Sequence, residues 1–282
     1  MLAANSRKGS EPMPLTAHWE GQGTLDATVE GLGCGVAWDA VYRVRPRPAL
    51  SCPWCGRPMH AKVSGGGGRF FAHDRRSTDC AGAGETEEHR RLKRALAAAA
   101  RQAGHRVELE ARAAQGGWRA DVLATAPAGA RTALEAQVSS APVDEVRART
   151  RRYQDDGLDV VWFTPRDARW LDHVPAARLY RPAASDGPWS RSYPLVSRFS
   201  AVACAEVCDP SPFWHSPVHA GWDYGEEREL PQFVADVLHG RLVPRTTTTA
   251  LGTRYEGWAA PEDIEAAAEH AALTATTDPD RR

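Results

Sequence analysis

Trp118-Arg119-Ala120-Asp121-Val122-Leu123, then Pro127-Ala128-Gly129, then Thr132-Ala133-Leu134-Glu135-Ala136-Gln137-Val138: the fold turns on this stretch. Both outer halves are short apolar-biased runs, and the Pro/Gly segment between them is turn chemistry. The pattern predicts two strands joined by a short connection. Side chains two apart on a strand share a face, which puts Arg119 with Asp121 and Glu135 with Gln137. In an antiparallel pair, facing side chains stand about 5 Å apart at Cβ. Two carboxylates that close repel unless a cation lies between them. An oxygen pair of this kind suits Mg²⁺ (or Mn²⁺), which takes one or two carboxylates plus water and substrate phosphate. Asp121 and Glu135 are thus candidate ligands of a phosphodiesterase metal. The plain alternative is that both are ordinary exposed strand residues.

Upstream, residues 85–103 carry the strongest helical pattern. Acidic Glu85, Glu87 and Glu88 open it, Leu92, Leu96 and Ala99–Ala100 mark an apolar stripe, and Gly104 closes it. Glu85, His89 and Lys93 stand four apart and form one polar ladder. That ladder is either a solvated face or a face turned toward the carboxylate strands. Val107-Glu108-Leu109-Glu110 reads as a strand. Pro142 opens a helix that runs to about Asp155, with Arg149 and Tyr153 one turn apart. Leu158 to Phe163 reads as a buried strand. The expected order is αβββαβ.

Before this core comes Cys52-Pro53-Trp54-Cys55-Gly56, a Cys-x-x-Cys turn of the zinc-knuckle kind. His73 and Cys80 supply a second pair, with His60 a nearby alternative to His73. Cys52, Cys55, His73 and Cys80 would close a tetrahedral Zn²⁺ site. The ion would contribute apparent binding free energy on the order of 10 kcal/mol to a unit too small for a large core. A redox Cys-x-x-Cys would need a thioredoxin-like βαβ context, which the flanking sequence lacks. Gly65 to Gly68 reads as a hairpin tip, since no Gly-Lys-Ser/Thr follows to make a phosphate loop. Cys34 reads as a small buried hydrophobe.

The chain of 282 residues is 42% hydrophobic and 25% charged, an ordinary globular composition. Its formal net charge is −1, so affinity for a polyanion must come from local patches. Met1 to Pro14 hold no apolar h-region, and no apolar run approaches ~20 residues. The expectation is a cytoplasmic protein without a membrane span. Toward the C-terminus, residues 175–195 read as loop. Cys204, Cys208, His215 and His219 have finger-like spacing for a second Zn²⁺, although Pro210, Pro212 and Pro217 oppose a finger helix. Leu230 to Leu242 fits an amphipathic helix, Thr246–Thr249 a linker, and Pro261 to Ala272 a solvated helix.

The expected organisation is therefore a polar N-terminus with a small β unit (1–50), a zinc-ribbon-like unit (51–84), an α/β core (85–166), a mostly irregular and helical extension (167–245), and a linker, helix and tail (246–282).

From about Cys52 to Thr164 the chain resembles the competence protein CoiA-like family, within the PD-(D/E)xK nuclease superfamily. The matching pieces are Cys52-x-x-Cys55, Phe71-Ala72-His73, Glu88-His89 with Lys93, Arg119-x-Asp121-Val122, Glu135-x-Gln137 with Ser139, Arg149-x-x-x-Tyr153 and Val161-Trp162. The resemblance implies a restriction-endonuclease-like fold, a divalent metal, DNA as substrate, and a place in processing or recombining DNA. On that footing Asp121 and Glu135 would hold Mg²⁺, Gln137 would orient water, and Lys93 and His89 would assist as charge stabiliser and proton shuttle. Glu85 or Glu88 would join the outer shell, while Arg119, Arg149 and Tyr153 would hold phosphates. Gln137 stands where the superfamily usually has a lysine. That departure supports a rival, a non-catalytic DNA-binding or recruitment module; a third reading takes Cys52 to Cys80 as a zinc unit for protein interaction.

Overall fold

The computed structural model describes residues 14–75, 80, 85–180, 195–196, 199–203, 220–224, 227–248 and 254–277. Two sheets position the site. The first has five antiparallel strands: β1 (Thr16–Trp19), β2 (Gly23–Asp26), β3 (Leu50–Ser51), β4 (Pro58–Val63) and β5 (Arg69–His73), in the order β2-β1-β3-β4-β5. It draws on both sides of residue 50. The small β unit and the cysteine-bearing hairpin thus share one core of Ala17, Leu25, Trp38, Met59 and Phe71. Residues 64–68 turn from β4 into β5, as the glycine run implied.

Helix α1 (Glu87–Gln102) follows. The sequence reading began it at Glu85, but Thr86 is the N-cap. Its side chain accepts a hydrogen bond from the His89 backbone N–H at 3.2 Å, which leaves Glu85 just outside the helix. Gly104, at φ +81°, provides the left-handed residue that ends it. The apolar face (Leu92, Leu96, Ala97, Ala99, Ala100) is buried, and Arg90 and Lys93 are buried with it.

The second sheet contains β6 (Arg106–Leu109), β7 (Val122–Thr125), β8 (Arg131–Ala136), β9 (Asp159–Thr164), β10 (Ala176–Tyr180), β11 (Leu195–Val196) and, after β12 (Phe199–Ala203) and β13 (Ala220–Tyr224), β14 (Arg228–Glu229). Their order is β14-β11-β10-β9-β8-β7-β6. β6, β7 and β8 form an antiparallel meander, while β8, β9 and β10 run parallel. A parallel neighbour requires a crossover, and α2 (Val143–Asp155) supplies it between β8 and β9. Alternation along the strands sorts the two faces. Val122, Ala124, Leu134, Ala136, Val161 and Phe163 join α1 and helix α3 (Leu230–Leu238) in one core. Leu123, Ala133, Val160 and Trp162 join Val146 and Tyr153 of α2 in the other. The chain is mixed α/β, with its central sheet covered on both faces.

Three expectations are corrected here. The strand expected from Trp118 begins only at Val122; before it, Arg119 makes a single antiparallel bridge to Arg112. Ala176–Tyr180, expected as loop, is a strand because it has β9 as a parallel neighbour, a partner far from a local turn. Thr246–Thr248, expected as linker, lie in β15 (Val243–Thr248), which pairs with β16 (Arg254–Ala259). A threonine run is β-branched and suits a strand. Helix α4 (Pro261–Thr277) closes the described chain. Cys204, Cys208, His215 and His219 lie outside the described residues. Among those described, no helix is long and apolar enough to cross a membrane.

Candidate functional site

The register builds the site. Leu109 pairs with Val122, and Val122 with Leu134. One step further along, Glu110, Asp121 and Glu135 therefore stand abreast across three neighbouring segments. The backbone confirms the row. Glu110 N–H donates to the Asp121 carbonyl at 3.0 Å, Asp121 N–H to Glu135 Oε1 at 3.2 Å, and Ala136 N–H to Asp121 Oδ2 at 3.0 Å. All three carboxylates are buried. Asp121 and Glu135 thus meet, as the turn between their strands implied.

Two helices answer the carboxylates. α1 projects Lys93 among acids: its Nζ lies 2.5 Å from Glu85 Oε1 and 3.9 Å from Asp121 Oδ1, and it hydrogen-bonds Glu110 Oε1. His89, one turn earlier, places Nε2 3.1 Å from Asp121 Oδ2 and Nδ1 3.9 Å from Glu85. The Glu85–His89–Lys93 ladder faces the strands, and Glu88 is exposed. α2 serves Glu135. Arg149 Nη2 donates to Glu135 Oε2 at 2.5 Å, its guanidinium 4.6 Å over the Trp162 ring. Tyr153 Oη lies 2.6 Å from Glu135 Oε1 and 2.7 Å from the Arg119 carbonyl, so its one hydrogen serves either acceptor.

These placements revise several assigned roles. Tyr153 is fully buried against Glu135, where no phosphate reaches it, and Arg149 in this state holds Glu135. Gln137 donates to Ser139 O and Oγ, both at 3.0 Å, and receives Arg149 at 3.4 Å. Its amide faces those partners. Glu110 escaped the sequence reading. It sits in a left-handed conformation, φ +56°, unusual outside glycine and costing on the order of 1 kcal/mol or more. That turn of the backbone, with a 3.4 Å hydrogen bond from Thr16 Oγ1 of β1, delivers its carboxylate to Lys93. Nothing local in Val107-Glu108-Leu109-Glu110 separates the two glutamates; only the register does.

The charges do not cancel. Glu85, Glu110, Asp121 and Glu135 face two permanent cations, Lys93 and Arg149. Four minus two leaves two negative charges when His89 is neutral. The protein answers with protons. Burial and the neighbouring Asp121 charge push Glu135 up to about 7, against the downward pull of Arg149 and Tyr153. Burial lowers the affinity of His89 for a proton, but Asp121 and Glu85 outweigh it and raise its pKa. Burial likewise opposes ionisation of Asp121, yet His89 and Lys93 hold it well below the usual carboxylate range. Lys93 stays charged, because Glu110, Asp121 and Glu85 more than offset the cost of its burial.

Such a site fits a divalent cation. Ligand atoms of Glu85, His89 and Asp121 lie within 4.8 Å of one another, and the excess charge is the opposite of what such an ion carries. Glu135 stands beside this triad with both oxygens engaged by Arg149, Tyr153 and the Asp121 N–H.

A second cluster brings together Cys52, Cys55, His73 and Cys80, again within 4.8 Å. Cys52 Sγ and Cys80 Sγ are 3.7 Å apart, and Cys55 Sγ lies 3.3 Å from His73 Nε2. Tetrahedral Zn²⁺ with Zn–S near 2.3 Å requires ligand edges of about 3.8 Å. The turn is built for it: Gly56 at φ +66° returns its N–H to Cys52 O at 2.9 Å. Burial pushes the Cys52 thiol up to about 12, so only a strong cation would make it a thiolate. The cluster can hold zinc. His60 is turned away to Asp74, at 2.6 Å.

Residues 85–169 match the family described as Competence protein CoiA, nuclease-like domain. This stretch is similar to that nuclease-like domain. No curated protein and no solved structure matches the chain. The CoiA-like span runs from Glu85 through α1, the meander, α2 and β9. It contains all four carboxylates, His89, Lys93, Arg149 and Tyr153. The cysteine cluster and the segment after Arg169 lie outside it.

Proposed function

We propose that this chain is a divalent-metal-dependent deoxyribonuclease on a restriction-endonuclease-like core, acting in the processing or recombination of DNA in the cytoplasm. The observation that carries the reading is the row Glu110–Asp121–Glu135 beside Glu85, His89 and Lys93. The order α1-β6-β7-β8-α2-β9 and the family match support it.

On this reading Asp121, with Glu85 and His89, holds Mg²⁺ or Mn²⁺. Such an ion neutralises charge on phosphate oxygens and lowers the pKa of water, worth several kcal/mol in the transition state. Lys93 holds Glu85 and Glu110 by hydrogen bonds, favours the charge on Asp121, and would add fixed positive charge next to the scissile phosphate. It stays protonated, so it is not the base. As a ligand His89 would have to be neutral, so it would not also be the proton acceptor. Arg149, 31% exposed, can leave Glu135 for a substrate phosphate and free that carboxylate to join the ion. Zn²⁺ at the cysteine cluster is structural.

A second reading, a DNA-binding or recruitment module without cleavage, draws on one observation: Gln137 is spent on Ser139 and Arg149. Cleavage of single- and double-stranded DNA by wild type and by Asp121→Ala, with and without Mg²⁺ or Mn²⁺, separates the two. The reading expects metal-dependent cutting that falls by about 10²-fold or more in the variant. Equal cutting by both proteins refutes the site. Salt-sensitive binding with no cutting by wild type favours the module.

A further inference from the structure

Beside the acidic row stands a pair of arginines, of which Arg119 also favours the charge on Glu110. Arg112 and Arg119 face each other in an antiparallel bridge, on the hairpin that leads from β6 into β7. Flanking hydrogen bonds fix the pairing: Ala120 N–H to Ala111 O at 2.8 Å and Ala113 N–H to Trp118 O at 3.2 Å. Like charges directly opposite on such a ladder repel. Both guanidinium groups lie over one indole, that of Trp54, at 6.0 Å and 5.5 Å from its centroid. Trp54 is the tip of the Cys52–Cys55 turn. Arg112 is exposed, and Trp54 and Arg119 are half-buried.

The acidic row attracts Arg119, and the exposed Arg112 faces it over the same ring. Along the hairpin, Glu110 and Asp121 form the next facing pair, two residues from the arginines and about 7 Å away. A phosphodiester chain whose reacting phosphate lies at the acidic row would carry its neighbouring phosphate past Arg112 and Arg119. Arginine pairs suit that group, donating in forks to phosphate oxygens.

We propose that Trp54, Arg112 and Arg119 form a binding surface for the DNA backbone, and that the cysteine knuckle sets its affinity by holding Trp54 in place. The surface rests on the reading that the acidic row meets DNA, but not on cleavage. The knuckle then couples two parts of the chain: an ion at Cys52, Cys55, His73 and Cys80 orders the turn, the turn places the ring, and the ring holds the two arginines outstretched against their mutual repulsion.

Fluorescence anisotropy of a labelled oligonucleotide, with full-length zinc-loaded protein, no added Mg²⁺ and a series of salt concentrations, tests this. Arg112→Ala should weaken binding about tenfold and reduce the dependence of log K on log salt by about one. Arg112→Lys should restore the salt dependence. Chelating the zinc should weaken binding at least as much as Trp54→Ala does. Wild-type affinity and slope in Arg112→Ala overturn the proposal. So does a Trp54→Ala protein that loses thermal stability but keeps its affinity, since the ring is then only interface packing. Metal-dependent cutting that Arg112→Ala leaves intact, with unchanged binding, removes the surface and spares the nuclease. Arg112-dependent binding by a protein that never cuts keeps the surface and removes the nuclease.

Discussion

Glu135 is the residue under most tension. It is 1% exposed, stands next to ionised Asp121, and is held by Arg149 and Tyr153. Arg149→Ala would leave its charge unanswered. The expected loss is about 1–3 kcal/mol in urea unfolding at neutral pH, less than for a fully buried pair because Arg149 is partly in water. Mn²⁺ should stabilise this variant more than wild type, since ion and guanidinium answer the same charge. The pH dependence has a definite sign. Glu135 is raised from 4.5 to about 7, and His89 is raised above 6.5. Both then bind more protons in the folded state than in the unfolded one. The metal-free protein should lose stability as pH rises from about 5 to about 8, opposite to the contribution of Asp121, whose lowered pKa matters only in acid. A divalent ion favours the deprotonated forms, so the thermal stabilisation by Mn²⁺ should be larger near pH 8 than near pH 5.5. Equal stabilisation at both would show that neither group yields a proton to the ion. At this scale the sequence was informative about Asp121 and Glu135, because a short turn between two strands forces them together. It was silent on Glu110, whose role depends on a left-handed backbone and a register. It misplaced Tyr153, because helical spacing shows which face a side chain is on but not whether that face is dry.

Two elements carry the site, and each has a local cause. α1 is organised by its Thr86 cap, which leaves Glu85 free to fold back on His89 and Lys93. The rungs were legible from four-residue spacing, while the cap was hidden by the acidic residues around it. The cysteine turn was legible too, since Cys-x-x-Cys-Gly is local geometry and needs no tertiary partner. His73 becomes its ligand through the pairing of Met59 with His73. Cys52→Ser should abolish stoichiometric zinc at the described cluster. Chelation should unfold the first sheet, whose core includes Cys52 and Cys80, by about the binding energy of the ion. Metal analysis with far-UV circular dichroism reads both. A protein that keeps its stability after losing zinc would mark the cluster as one that has outlived its ion.

Across the whole molecule, described elements after the family match pack onto its sheet and first helix. β10 extends the parallel run, and α3 lies on α1. Phe233 stands edge-on to Phe163 at 6.1 Å and to Trp258 at 5.4 Å, and the Trp258 indole N–H donates to Ala176 O at 2.6 Å. Phe233→Ala should cost about 3–5 kcal/mol in chemical unfolding, enough to unfold many domains at physiological temperature. A loss below about 1 kcal/mol would mean that α3 is a loose appendage. The sequence reading treated this region as an extension, because its short runs lack turn signals and Thr246–Thr249 read as a linker, not as part of a strand. The core order was readable for the opposite reason: its strands meet across short connections and one helix.

The central claim is that Asp121 binds a divalent cation in company with Glu85 and His89. The most direct measurement is anomalous diffraction from crystals soaked in Mn²⁺. The account predicts an anomalous peak bound to a carboxylate oxygen of Asp121 and to Glu85 or His89, absent in Asp121→Ala. A Mn²⁺-soaked crystal with no peak at Asp121, and Lys93 still filling the space between the carboxylates, would contradict it.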